Sequence, residues 1–287
     1  MKNPRFLSLA LVGGLLLAPS AGAQVLLSDT FSDANRSGQT LPGSAAWFIS
    51  SATSSNAGVT SGVLTTNSGL SITSYFTASG SPFTLATAGQ TLTLTFDIAY
   101  ASNTDPTGNT ALKLGLFNSN GNTRLTADGT NNIFAPYSGY AVTAGYTTNS
   151  AVRERATGLA NTALLTSTSG YTVVGTSSFT FGITDTPEPN YYNGLFSITR
   201  TAAGHLEMTY TLTQASNPSN SWSYTVTDAT PVTFGFDTVS FSTASGTNMY
   251  LDNITLTATA IPEPSTYALG SGALALLAAC LLRRRRS

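Results

Sequence analysis

Three glutamates and one histidine lie between residues 24 and 260: Glu154, Glu188, Glu207 and His205. Glycoside hydrolysis needs two carboxylates a few ångströms apart, one of them with a raised pKa. Glu154 stands between Arg153 and Arg155, so the expectation is a lowered pKa and a solvated ion pair. Glu188 sits in a Pro-bounded turn. Glu207 lies two residues from His205, so on a strand both side chains point the same way. That pair is the local acid–base candidate for a glycan-active hydrolase. Two solvent-facing strand residues is the plainer reading of the same spacing. No Gly-x-Ser-x-Gly nucleophile elbow occurs, and a Ser/His/Asp triad would have to use the single His205. The expectation is a protein that is not an enzyme.

Sugar recognition asks for different groups. Aromatic faces lie against the apolar side of pyranose rings, with polar groups at the edges. Trp47, Tyr191, Tyr192, Trp222 and Tyr224 are the candidate carbohydrate-binding residues. Tyr191 and Tyr192 follow a Pro-rich turn, and Trp222 and Tyr224 share one strand face. Core packing is the commoner fate of strand aromatics and remains the alternative for each.

The elements that must position these groups are strands. Leu92, Leu94, Phe96 and Ile98 alternate with Thr91, Thr93, Thr95 and Asp97. Leu206, Met208, Tyr210 and Leu212 alternate with Glu207, Thr209 and Thr211. Leu251, Ile254 and Leu256 continue the pattern with an irregularity at Asp252–Asn253. Period-two spacing with Thr outside describes antiparallel strands with one face in a core. Turn clusters at 103–108, 118–121, 128–129, 217–218 and 245–246 separate the runs. The spacing predicts an all-β, antiparallel β-sandwich or jelly roll over 24–260. The stretch 130–175 reads as an insertion of long loops.

Composition agrees. The chain has 287 residues, of which 9% are charged, with 47 Thr, 35 Ser and one Cys. So few charges exclude long ion-paired helices. One Cys excludes a disulfide framework and, with one His, a zinc site. A formal net charge of -1 lacks the basic surface that nucleic acid requires.

The two ends read as addresses. Lys2 and Arg5 precede an apolar stretch from Phe6 to Ala18, and Ala21-Gly22-Ala23 supplies small residues at a cleavage position. Residues 1–23 are therefore expected to be a signal peptide, an N-terminal helix removed by signal peptidase before Gln24. At the other end, Pro262-Glu263-Pro264 is followed by the charge-free run from Tyr267 to Leu282, then Arg283, Arg284, Arg285 and Arg286. The run is near the short limit of a membrane helix. The arginines would hold it with its end in the cytoplasm. Without the two end segments, the remainder carries 6 basic and 12 acidic groups, a formal charge of -6.

The Ile261-Pro-Glu-Pro-Ser265 motif, short apolar span and basic terminus resemble the PEP-CTERM sorting signal of Gram-negative bacteria that export polysaccharide. The resemblance covers 261–287 and implies exosortase as a processing partner, cutting near Pro262–Pro264. It also implies transient insertion of 267–282 in the inner membrane, then delivery to the cell surface or extracellular matrix. Thr186-Pro187-Glu188-Pro189 repeats the tripeptide without a span or basic cluster and reads as an ordinary turn.

The domain's ends carry a second resemblance. Leu27-Ser-Asp29-Thr-Phe31-Ser-Asp33 with Trp47, and Tyr250-Leu-Asp252-Asn-Ile254-Thr-Leu256, look like the opening and closing strands of concanavalin-like and carbohydrate-binding-module jelly rolls. That resemblance implies paired terminal strands and, in many members, a structural calcium. Calcium takes oxygen ligands, and Asp29, Asp33 and Asp252 would converge if those strands are neighbours. Otherwise the first two cap turns and the third ends a bulge. No other cofactor is expected. The combined expectation is an exported, non-enzymatic surface or matrix protein associated with exopolysaccharide. A carbohydrate-binding jelly-roll module is the alternative, and a hydrolase using Glu207 and His205 the third reading.

Overall fold

The computed structural model describes residues 23–259 apart from 68, 103–111, 131, 146–148, 160–163, 166, 179–190 and 244–246. The signal helix and residues 260–287, including the sorting motif, the hydrophobic helix and the arginines, lie outside the described residues. So do the turn at 186–190 and the turn clusters at 103–108 and 245–246. Among the described residues no helix is long and apolar enough to cross a membrane.

The first strands are β1 (Ala23–Asp29), β2 (Phe48–Ile49), β3 (Ala57–Thr60), β4 (Val63–Thr66), β5 (Ser71–Tyr75) and β6 (Phe83–Thr84). Next come β7 (Thr91–Ser102), β8 (Leu112–Asn118), β9 (Ser138–Ala144), β10 (Ser150–Arg155) and β11 (Thr172–Ser177). The last are β12 (Tyr192–Arg200), β13 (Leu206–Gln214), β14 (Ser221–Asp228), β15 (Gly235–Phe236), β16 (Thr238–Thr243) and β17 (Thr247–Thr259). One sheet runs β14-β13-β12-β7-β17-β4-β3, with β1 also on β17; the other runs β11-β10-β9-β8-β16-β5-β2. β15 and β6 form a small third pair. The expected antiparallel β-sandwich is the fold.

Alternation builds the core. Leu92, Leu94, Phe96 and Ile98 of β7 and Leu206, Met208, Tyr210 and Leu212 of β13 are all buried. They share one cluster with Leu114 and Leu116 of β8 and Val239 and Phe241 of β16. The Phe96 and Phe241 rings meet edge-on across the sheets at 5.1 Å between centroids. The opening and closing strands are partners: β1 pairs antiparallel with β17, from Ala23 opposite Thr259 to Asp29 opposite Ile254. The irregularity at Asp252–Asn253 is a register shift against β7, with Asn253 at φ 50°.

The stretch 130–175 departs from its expectation. It supplies β9, β10 and part of β11, not merely loops. Phe134, Tyr137, Leu164, Leu165 and Tyr171 form a second core with Tyr75, Phe117 and Ala141. That core covers the outer side of the seven-stranded sheet. All seven residues of β9 are buried, and a strand buried on both faces shows no alternation.

Candidate functional site

The outer face of the eight-stranded sheet is set by the residues that alternate with its core positions. Thr257, Thr93, Ser197, Thr209 and Thr225 stand opposite one another across five strands. Two residues along, Thr255 faces Thr95 on one side of Leu195, and Thr211 faces Ser223 on the other. The row on the opposite side starts with Thr259, Thr91 and Thr199. Strand geometry spaces such rows by about 4.8 Å across strands and about 6.8 Å along them. Cross-strand hydroxyls bond to each other: Thr91 to Thr199 at 2.8 Å, Thr209 to Thr225 at 2.9 Å and Thr211 to Ser223 at 3.1 Å. The β-branched threonines have few χ1 choices, so the face is stiff. Its charges sit at the margins, Glu207 in one outer row and Asp97 opposite Asp252 in the other.

Asp29 is 2% exposed. Its carboxylate accepts from Phe31 N at 3.0 Å, Ala45 N at 3.1 Å and Trp47 Nε1 at 2.9 Å. Asp33 shares a cleft of about 270 Å³ with Asp29, Phe31, Thr40 and Ser44, and accepts from Asn35 N at 3.0 Å. Asp252 accepts from Asn253 N at 2.7 Å. Burial raises its carboxyl above the ordinary value; the charges of Asp97 and Asp29 add to that, while the Asn253 N–H opposes it. Asp97 accepts from Asn193 Nδ2 at 2.5 Å and Asn253 Nδ2 at 2.7 Å. The terminal strands do pair, as the resemblance implied for an Asp29–Asp33–Asp252 calcium set, and both oxygens of Asp29 already take N–H donors. Among the described residues no group of three or more His, Cys, Asp or Glu could hold a metal ion.

The aromatic platform is not assembled. Trp47 is fully buried and Tyr192 is 2% exposed. Tyr191 is half-buried. Trp222 and Tyr224 point inward from β14 and pack on the main core, with the Trp222 ring 6.5 Å from Tyr192. Alternation correctly puts the last two on one face, but it is the core face. His205 precedes β13 in a turn, its N–H donating to Thr201 Oγ1 at 3.2 Å. Glu207 projects, exposed, from the outer face. The two belong to different local structures, and neither lines the cleft at Asp29 or a second cleft of about 240 Å³ between Arg36 and Asp128.

The carboxylate pairing that sequence reasoning missed is elsewhere. Glu154 turns to the inner side of β10, opposite Tyr140. Tyr140 Oη donates to Asp228 Oδ2 at 2.7 Å and lies 3.3 Å from Glu154 Oε1. Val232 N donates to Glu154 Oε1 at 3.1 Å, and Thr230 N to Asp228 Oδ1 at 2.9 Å. Burial raises the Glu154 carboxyl, the Asp228 charge and a hydrogen bond with Asp228 raise it further, and the Val232 and Tyr140 donors oppose this. The expected lowering by Arg153 and Arg155 is therefore overturned. Neighbours on a strand point to opposite faces, and both arginines leave Glu154 behind. Arg155 is fully buried; its guanidinium donates to the carbonyls of Phe134, Tyr137, Ala156 and Leu159 at 2.7 to 3.1 Å. Arg153 Nε reaches Thr143 Oγ1 at 3.4 Å.

Of the expected processing residues, Ala21 lies outside the described set, while Ala23 and Gln24 are exposed at the start of β1.

No family model matches the chain, and no curated protein matches it. Among solved structures it is similar to several lectins. Lectin I from Ulex europaeus, in complex with the methyl glycoside of α-L-fucose, has a TM-score of 0.47 at 10% identity, over 83% of this chain and 97% of that one. Winged bean acidic lectin, complexed with methyl-α-D-galactose, has a TM-score of 0.47 at 8% identity, over 83% and 98%. Lectin I-B4 from Griffonia simplicifolia, in a metal-free form, has a TM-score of 0.45 at 10% identity, over 83% and 100%. At TM-scores below 0.5 these likenesses carry no part of the functional reading.

Proposed function

We propose that the protein is an exported, non-enzymatic component of the bacterial surface or extracellular matrix, and that the outer face of its eight-stranded sheet adheres to neutral exopolysaccharide. The signal segment and the PEP-CTERM-like tail support the export route. Signal peptidase and exosortase are the processing partners this route requires. The observation that carries the binding reading is the grid of Thr and Ser hydroxyls which, among the described residues, has charge only at its margins. Each hydroxyl donates one hydrogen bond and accepts others. A stiff array of them suits a repeating, uncharged, hydroxylated polymer and loses little side-chain entropy on contact.

Affinity electrophoresis of the full chain through gels holding neutral glycans, including the host's own exopolysaccharide, tests this. Retardation is expected. Ser197→Lys with Thr225→Lys, which puts two ammonium groups on the face, should weaken it about tenfold or more, equivalent to ~1.4 kcal/mol. No retardation by any glycan, or retardation untouched by the double substitution, would remove the hydroxyl face from the account.

A further inference from the structure

The two carboxylates at the β10–β14 end are not used by the reading above. They come from opposite sheets, Glu154 from the seven-stranded one and Asp228 from the eight-stranded one. Both flank the single Tyr140 hydroxyl, whose oxygen lies 2.7 Å from Asp228 Oδ2 and 3.3 Å from Glu154 Oε1, so the two carboxyl groups converge on one point. A tyrosine hydroxyl has one hydrogen, and its shorter bond gives that hydrogen to Asp228. Holding both carboxyl groups around that one hydroxyl without two opposed charges then needs one further proton.

Among the described residues no cation is aimed at the pair. Arg153 and Arg155 of the same strand bond elsewhere, as described above. From β9 the facing group is Tyr140, and from the segment after β14 the Thr230 and Val232 amides. β11, which runs beside β10, is Thr-Val-Val-Gly-Thr-Ser and carries no charge. On β13 the residue opposite Asp228 is Leu206. Its neighbour Glu207 lies on the outer face, and His205 is held in the preceding turn through Thr201.

We propose that Glu154, Asp228 and Tyr140 form a proton-operated latch between the two sheets. With one proton shared by the carboxyls, the latch ties β10 to the end of β14 and to the segment 229–232. When that proton leaves, two anions face each other across one hydroxyl hydrogen, and this end of the sandwich loosens. The device makes the β14 edge respond to external acidity. It does not depend on what the hydroxyl face binds.

The direction of the linkage is fixed. The Glu154 carboxyl is raised in the folded state, so the folded chain binds more protons than the unfolded chain above the ordinary carboxylate pKa. The latch is therefore strongest in acid and is lost as pH rises through the raised value.

Hydrogen exchange of the Thr230 and Val232 amides in the full chain reads it. Rates are compared between the native protein and Glu154→Gln at each pH from about 4 to 8. A glutamine keeps the oxygen for Val232 N and offers an N–H to Asp228, a mimic of the protonated state. The native-to-variant rate ratio should start near one in acid, climb by up to about tenfold per pH unit between the ordinary carboxylate range and the raised value, and level off above it. Tyr140→Phe keeps the ring in the core, removes the shared hydroxyl and should move the step to a different pH. A ratio that stays flat across the range overturns the latch. So does a step that survives unchanged in Glu154→Gln, or one that Tyr140→Phe leaves at the same pH.

Discussion

Replacing Asp29 by alanine asks whether this aspartate serves the protein or an ion. Its two oxygens accept three N–H groups, from Phe31, Ala45 and Trp47. The residues that own those donors are 1%, 0% and 0% exposed, so water is poorly placed to replace the carboxylate. A buried donor left unsatisfied costs about 1–3 kcal/mol. Three such donors, partly relaxed, give a loss of about 3–6 kcal/mol. Phe31 also sits at φ 50°, a conformation its bond to Asp29 helps to hold. For a domain of this size the loss corresponds to a Tm lower by roughly 10–20 °C. Asp29→Asn keeps one acceptor oxygen and should lose about a third to a half as much. The assay is thermal and urea unfolding of native protein and variants, each with and without a calcium chelator. A loss below about 1 kcal/mol for Asp29→Ala would refute the three-donor argument. A chelator-induced drop in the native Tm would show that an ion contributes after all.

Other perturbations probe other parts. Arg155→Met should cost about 3–5 kcal/mol in urea unfolding, because it strips four backbone carbonyls of their charged donor. Arg155→Lys should recover only part of this, since three ammonium donors cannot match a planar fork. Gly194→Ala should cost about 1–3 kcal/mol, because a Cβ there would run into the Phe96 ring; adding Phe96→Leu should recover much of it, as denaturant midpoints of the double variant would show. Deleting residues 261–287 should abolish delivery to the surface or matrix, read by fractionating cells and medium, and unchanged delivery would sink the sorting proposal.

Sequence reasoning succeeded where one face of a strand meets water. β7 and β13 show period two because Thr or Glu faces out wherever Leu, Met or aromatic residues face in. It failed where both faces are covered. β9 reads Ser-Gly-Tyr-Ala-Val-Thr-Ala, with Tyr140 and Val142 in the main core and Ala141 in the second. No polar alternation marks such a strand. The misreading of Glu154 has a different origin. Adjacency in sequence suggested adjacency in space, whereas a strand sends Arg153 and Arg155 away from the glutamate they flank. Its real partners, Tyr140 and Asp228, lie 14 and 74 residues away, and no local pattern announces them. For Trp47 and Tyr192 the sequence supplied the residue type, and only the fold decides which way a ring points.

The same difference between the sheets explains why one face is a better functional candidate than the other. Thr and Ser also stand on the outer side of the seven-stranded sheet, at Ser71, Thr73, Thr238 and Ser240. There they lie beneath covering segments. Gly129 N donates to Ile49 O at 3.0 Å, and Asp128 grips Arg36 at 2.6 Å. Arg124 bonds Asp237 at 2.9 Å. The buried hydroxyls satisfy one another instead, with Ser240 bonded to Thr73 at 2.9 Å and to Ser71 at 3.1 Å. Buried hydroxyls need such partners to avoid a desolvation cost, so these are committed to stability. On the eight-stranded sheet the rows end in the exposed Ser221, Ser223, Thr225 and Thr227 of β14, where each hydroxyl keeps hydrogen-bonding capacity to spare after its cross-strand bond. Composition counts both sets alike. Only the second can meet a polymer, so substitutions there should change binding with little effect on stability, and substitutions at Thr73 or Ser240 should do the reverse.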